Sequence, residues 1–179
     1  MKYLVTGGAG FIGHNVVRFL EAQGHECIVV DTLTNYGFVP LDEVEYLFEQ
    51  RSKKFKSVVH RVDIRDARAV NNMFMTFHPE LVIHLASFPR QKVVSGNPAW
   101  GSEVMATGLI NLLEASKAQR VKKFVYISSS MVYGDFTDNV KEDAVCNPQG
   151  QYGIMKLAGE WLVKDYGRRG CFDYTIIRP

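Results

Sequence analysis

Apolar positions fall in six short runs rich in Val, Ile and Tyr, at residues 2–6, 26–31, 57–62, 81–85, 123–128 and 174–178. These runs are nearly continuous rather than alternating, which is the pattern of strands covered on both faces. Between them, apolar residues recur at the helical period over 12–23, 67–77, 101–118 and 151–166. Strand, helix, strand at this spacing implies parallel pairing through right-handed crossovers. The pattern predicts an α/β fold, a doubly wound parallel sheet with helices on both faces, in one domain over 1–179. Residues 41–56 (LDEVEYLFEQRSKKFK) are charge-rich and suit a surface helix or a loop decoration. There is no internal repeat beyond the strand–helix alternation, no low-complexity tract and no linker.

Composition narrows the classes without choosing among them. The chain is 46% hydrophobic and 22% charged, as ordinary globular domains are. A net charge of +2, with no basic run longer than two residues, offers no concentrated face for nucleic acid. No apolar stretch reaches the roughly 18 residues of a membrane span. Glycines interrupt the N-terminus too early for a signal peptide. Cys27, Cys146 and Cys171 are odd in number and far apart. That predicts no disulfide framework, no metal site and a cytoplasmic location. The five histidines show no ligand spacing, so no catalytic histidine is expected; His84, ending the fourth strand, is expected to sit beneath a ligand.

The first strand runs directly into VTGGAGFIGH, with a helix from Ile12. Gly8, Gly10 and Gly13 fit Gly-x-Gly-x-x-Gly, and Gly7, Gly10 and Gly13 fit Gly-x-x-Gly-x-x-Gly. Either spacing allows a tight turn, close approach of a pyrophosphate to the backbone, and close helix–strand packing. Amides at the helix N-terminus then face the phosphates. This is the phosphate loop of a Rossmann domain when strand and helix flank it, as they do here. Asp31 ends the second strand, where a carboxylate accepts from adenosine ribose hydroxyls and repels a 2′-phosphate; it also suits the start of a turn. No Arg or Lys follows it in DTLTNYG, so NAD is expected rather than NADP. Asp63, after the third strand, is placed to meet an adenine amino group, and Asp66 to cap the next helix.

Tyr152 and Lys156 form the one Tyr-x-x-x-Lys pair of the chain. Four residues apart on a helix, they share a face. They follow a strand ending in Ser128, Ser129 and Ser130, at the carboxyl edge where open α/β sheets bind ligands. A lysine ammonium and a positive nicotinamide would draw the tyrosine pKa down from about 10. The phenolate could then take a hydroxyl proton while the carbon's hydride passes to the nicotinamide, with a serine hydroxyl holding the same oxygen.

With these pieces in order, the sequence resembles the extended short-chain dehydrogenase/reductases, specifically the NAD-dependent epimerase/dehydratase family acting on nucleotide sugars. The matching segments are TGGAGFIG, VVD, DIRD, VIHLAS, GLINLLEAS, SSSMVYGD, YGIMKLAGE and IIRP, and they run through nearly the whole chain. The resemblance implies Ser129, Tyr152 and Lys156 as catalytic residues. It implies cofactor contacts from Gly7, Gly10, Phe11, Ile12, Gly13, Asp31, Asp63, Ile64, Leu85 and Ala86, together with Tyr152 and Lys156. Dehydratases of the family typically carry Thr-Asp-Glu where this chain has Ser129, Ser130 and Met131. Methionine cannot exchange protons, so a nucleotide-sugar epimerase is favoured, on a UDP-, GDP- or dTDP-linked substrate. Met105 stands where the family usually has Asn. The family chain continues past the Arg-Pro pair into a smaller lobe that grips the nucleotide sugar, and the resemblance implies that this lobe is absent here. The competing expectations are a non-catalytic dinucleotide-binding module or fragment, a dehydratase, and a net dehydrogenase or reductase. The family pairs its helices into a dimer, implying a homodimer here through 101–118 and 151–166; Ile110, Leu113, Leu157, Trp161 and Leu162 suit either that contact or the sheet.

Overall fold

The structure is a computed structural model and describes residues 1–34, 40–88, 91–135 and 139–179. At its centre β1 (Lys2–Thr6) is flanked on one side by β2 (Glu26–Val30) and then β3 (Val59–His60). On the other side lie β4 (Leu81–His84), β5 (Lys123–Ile127) and β6 (Asp173–Ile177). Every pairing is parallel. The strand order reverses between β1 and β4, and a crevice opens there at the carboxyl edge.

The helices are α1 (Gly13–Ala22), α2 (Leu41–Ser52), α3 (Ala67–Phe77), α4 (Gln91–Gly96), α5 (Pro98–Ser102), α6 (Gly108–Ala118) and α7 (Gly150–Arg168). Alternate strand residues feed two cores. Leu4, Val30, Val82, Phe124 and Tyr126 meet Val70 and Phe74 of α3, Leu109, Leu112 and Leu113 of α6, and Val163 of α7. Val5 and Val29 meet Val17 and Leu20 of α1, with Cys27 and Phe55. Burial, then the charges of Glu21 and Glu26, push the Cys27 thiol up to about 11, so it is an inert core residue. The hydroxyl of Ser116, on α6, is the buried side-chain polar atom without a protein partner among the described residues.

Three elements differ from expectation. The third strand pairs only at Val59 and His60. Glu21 of α1 captures its approach, its Oε1 accepting from Ser57 N at 2.8 Å and Ser57 Oγ at 2.6 Å, and its Oε2 from Lys56 N at 2.8 Å. The helix expected over 101–118 is composite: α5, a π-helical turn over Glu103–Thr107, then α6. Met105 is buried inside that turn and packs with Phe88, Val93 and Val94. The short α4 was not anticipated at all. Residues 41–56 resolve into α2, which buries no residue, followed by an irregular stretch. Asp66 caps α3 as expected, its Oδ1 accepting from Arg68 N at 2.9 Å and Ala69 N at 3.0 Å. Of the apolar residues that suited either contact, Leu113 is fully buried, whereas Ile110 is 40% and Trp161 56% exposed.

Candidate functional site

At the end of β1, Gly7 takes φ +69°, and a Cβ there would lie 2.7 Å from Ala86 N. At position 13 a Cβ would lie 2.1 Å from Gly7 O and 2.6 Å from Gly8 Cα. These two glycines let α1 start against the turn itself. The first turn of α1 holds no acidic residue and no side-chain cap; the amides of His14, Asn15 and Val16 go to main-chain carbonyls, which leaves those of Phe11, Ile12 and Gly13 for a ligand. This main-chain cradle, which a single Cβ would fill, fits the pyrophosphate of a dinucleotide.

Asp31 follows β2 and is tied to the same loop. Its Oδ2 accepts from Ala9 N at 3.1 Å and its Oδ1 from Leu33 N at 2.9 Å. Burial pushes its carboxyl up, against the pull of these bonds and of the Arg51 charge. Arg51 comes from α2 and could not be found by looking along the chain near Asp31. The expected ligand Asp63 has a partner of its own: Arg65 closes on its carboxylate through Nε at 3.0 Å and Nη2 at 2.6 Å. Arg65 also reaches Glu103 at 2.9 Å. Hydrogen bonding from Arg65 holds the Asp63 carboxyl below its usual range. Ile64 rests on α6, where Asn111 Nδ2 donates to the Ile64 carbonyl at 2.9 Å and a Cβ at Gly108 would meet Ile64 Cδ1 at 2.6 Å.

Beneath the middle of the crevice, Thr6 Oγ1 lies 2.7 Å from His84 Nδ1 and accepts from Ala86 N at 3.3 Å. This contact ties the ring to the end of β1. Burial, and then the Lys156 charge, push His84 down to about 3. It is a neutral core residue stacked on Tyr126.

At the far end, Ser129 has extended backbone and caps a 3-10 turn over Ser130–Tyr133, its Oγ accepting from Met131 N at 3.2 Å. It lines the same cleft as Tyr152. Lys156, 5% exposed, donates to Ile127 O at 2.8 Å, and its Nζ lies 5.8 Å from the Tyr152 ring centre. Burial pushes the lysine down to about 8. Burial also pushes the Tyr152 phenol up, with the neighbouring Ser129 hydroxyl working against it. The expected fall in the tyrosine pKa is thus outweighed in this environment by desolvation. The neighbouring hydroxyls are separated: Ser128 turns to Glu160 at 2.7 Å, away from Tyr152.

One cleft of about 470 Å³ joins these parts. It is lined by Gly7, Gly10, Phe11, Ile12, Gly13, Asp31, Asp63, Ile64, Leu85, Ala86, Ser129, Tyr152 and Lys156, whereas Gly8 of the alternative spacing does not reach it. It also takes in Thr32, Arg65, Phe88, Trp100 and Pro179, which no local pattern marks. Among the described residues no group of His, Cys, Asp or Glu could hold a metal ion, and no helix is long and apolar enough to cross a membrane.

A glycine cradle at a topological switch point, with an acidic residue just after β2 on the same cleft, defines a dinucleotide-binding domain. The chain belongs to the NAD dependent epimerase/dehydratase family, whose profile matches residues 3–179. It is 36% identical to the bifunctional protein GAL10 of Kluyveromyces lactis, over 99% of this chain and 26% of that protein. It is 33% identical to a UDP-glucuronate 4-epimerase of Thermodesulfobacterium geofontis, over 98% of this chain and 54% of that one. The Thermus thermophilus UDP-glucose 4-epimerase, solved in complex with NAD, superposes with a TM-score of 0.84 at 32% identity, covering 99% of this chain and 54% of its own. The chain therefore spans about half the length, or less, of these relatives.

Proposed function

We propose that the chain binds NAD along the cleft and carries the cofactor and acid–base residues of a nucleotide-sugar 4-epimerase. The observation that carries this reading is the cluster of Ser129, Tyr152 and Lys156 in the same cleft as the Gly7–Gly13 cradle. Gly7, Gly10 and Gly13, with the amides of Phe11 and Ile12, receive the pyrophosphate. Asp31 accepts from the adenosine ribose, and Asp63 with Ile64 borders the adenine. Leu85 and Ala86 line the nicotinamide end, where Lys156 holds the second ribose. NAD, when bound, supplies a reversible acceptor for the hydrogen at the sugar's C4.

Tyr152 takes the proton of the C4 hydroxyl and later returns it. Ser129 holds that oxygen and donates to the phenolate as charge develops. Lys156, buried without a carboxylate partner, adds positive charge near the ring. Ser130 and Met131 supply no acid–base pair, which favours epimerisation over loss of water. The likeness to UDP-sugar 4-epimerases supports a UDP-linked substrate. Exposed Ile110, Ile154 and Trp161 on α6 and α7 support a homodimer through these helices. Three unpaired cysteines suit the cytoplasm.

The test is calorimetry with NAD and NADH, followed by incubation of the loaded chain with UDP-glucose, UDP-galactose and UDP-glucuronate. Binding of NAD and interconversion of one C4 pair, abolished in Tyr152→Phe, is the expected result. Absence of heat with either form of the cofactor overturns the reading. Binding of NAD that no UDP-sugar perturbs reduces the chain to a dinucleotide-binding module.

A further inference from the structure

On α7, Tyr152, Lys156 and Glu160 recur every fourth residue and share one face. Tyr152 and Lys156 line the cleft; Glu160 lies one turn further on and is 0% exposed. Its carboxylate is held by three side chains, Ser128, Lys164 and Arg178. Oε1 accepts from Ser128 Oγ at 2.7 Å and Arg178 Nε at 2.8 Å, and Oε2 accepts from Arg178 Nη2 at 2.7 Å and Lys164 Nζ at 3.5 Å. Arg178 in turn donates to Tyr133 Oη at 2.8 Å and Glu142 O at 3.0 Å. So one buried carboxylate ties α7 to the carboxyl ends of β5 and β6 and, through Arg178, to the 3-10 turn. Helix and strand touch closely here: a Cβ at Gly159 would lie 2.2 Å from Tyr126 Oη.

These ties converge on the residue before Ser129. Lys156 fixes Ile127 O, Glu160 fixes the Ser128 side chain, and Ser128 N donates to Ile177 O at 2.8 Å. Ser129 follows and lines the cleft together with Tyr152. We propose that Glu160 is a positioning residue, whose bond to Ser128 sets the Ser129 hydroxyl in register with Tyr152. A buried ion pair seldom stabilises a fold beyond an apolar replacement of the same shape, whereas it does fix geometry. The proposal rests on the reading of Tyr152 and Ser129 as partners in proton transfer. Tyr152 is otherwise faced by Lys156 from its own helix, by Tyr126 from β5, and by the apolar cluster of Phe88, Val93, Val94 and Met105.

The test replaces tyrosine by 3-fluorotyrosine, whose phenol ionises at lower pH, and follows the fluorine resonance of position 152, assigned with Tyr152→Phe. Wild type, Ser129→Ala, Glu160→Gln and the double variant are titrated. Loss of the serine donor moves the Tyr152 midpoint up by about half a pH unit or more. Glu160→Gln moves it in the same direction, and in the Ser129→Ala background it adds nothing further. A midpoint unmoved by Glu160→Gln, or a double variant in which the two shifts sum, overturns the proposal. If Glu160→Gln does not fold, Ser128→Ala removes the link and keeps the Glu160–Arg178 pair. A smaller upward shift supports the proposal, and none overturns it. The titration is read on the chain without cofactor, so it stands apart from the success or failure of NAD binding.

Discussion

Thr6 and His84 face each other across neighbouring strands in the β1–β4 register, the threonine hydroxyl 2.7 Å from Nδ1 of a buried ring. The fold holds this imidazole neutral, pushed down to about 3 from an ordinary 6.5. The unfolded chain binds a proton at 6.5 that the folded one refuses, so stability rises with pH through that window and is lost on acidification. At pH 5 this one group withdraws about 2 kcal/mol relative to neutral pH. Urea unfolding at pH 7 and pH 5 measures it, and a His84→Gln variant has a flatter pH dependence.

Gly13→Ala sets a methyl group onto the Gly7 carbonyl and must displace α1. It destabilises the chain by about 1–3 kcal/mol. It also abolishes NAD binding, because the moved amides are those that meet the pyrophosphate. Thermal unfolding and calorimetry on the same sample report both effects.

Lys156→Met removes a charge that the fold disfavours. With the lysine pushed down to about 8, its burial opposes folding at neutral pH and is relieved as pH climbs from 8 toward 10.5. Allowing for the Ile127 carbonyl left without its donor, the variant is more stable at pH 7 by about 1–2 kcal/mol. The advantage shrinks in alkali, and turnover of any UDP-sugar falls at least about 100-fold. Equal stability of the two chains at pH 7 contradicts this account.

Ser116→Ala deletes the hydroxyl that finds no protein partner on α6. The variant gains about 1 kcal/mol in denaturant unfolding, with NAD binding unchanged.

The sheet was legible because a parallel strand covered on both faces is apolar along its length. Lys2–Thr6 and Lys123–Ile127 announce themselves that way. The extent of edge strand β3 was not, because Glu21, 36 residues before Ser57, decides how much of it pairs. Five- and six-residue helices such as α5 and α4 hold too few periods to show, and the π turn around Met105 is set by packing between segments. The cleft residues were legible where spacing carries the chemistry, as with Gly7, Gly10, Gly13, Tyr152 and Lys156. Arg51 near Asp31 and Arg178 on Glu160 were not, since charge pairing across the fold leaves no local signature. The rise in the Tyr152 pKa was missed for the same reason: the sequence shows the lysine four residues on but not the degree of burial.

The stripe on α7 also makes the helix a counting device. One residue inserted after Tyr152 would turn everything downstream by about 100° about the axis, swinging the ammonium off the Ile127 carbonyl and the carboxylate off its guanidinium in a single event. Outward positions such as Gln151 and Ala158 can change identity without touching that stripe. Variation along this stretch is therefore permitted by substitution and closed to insertion or deletion.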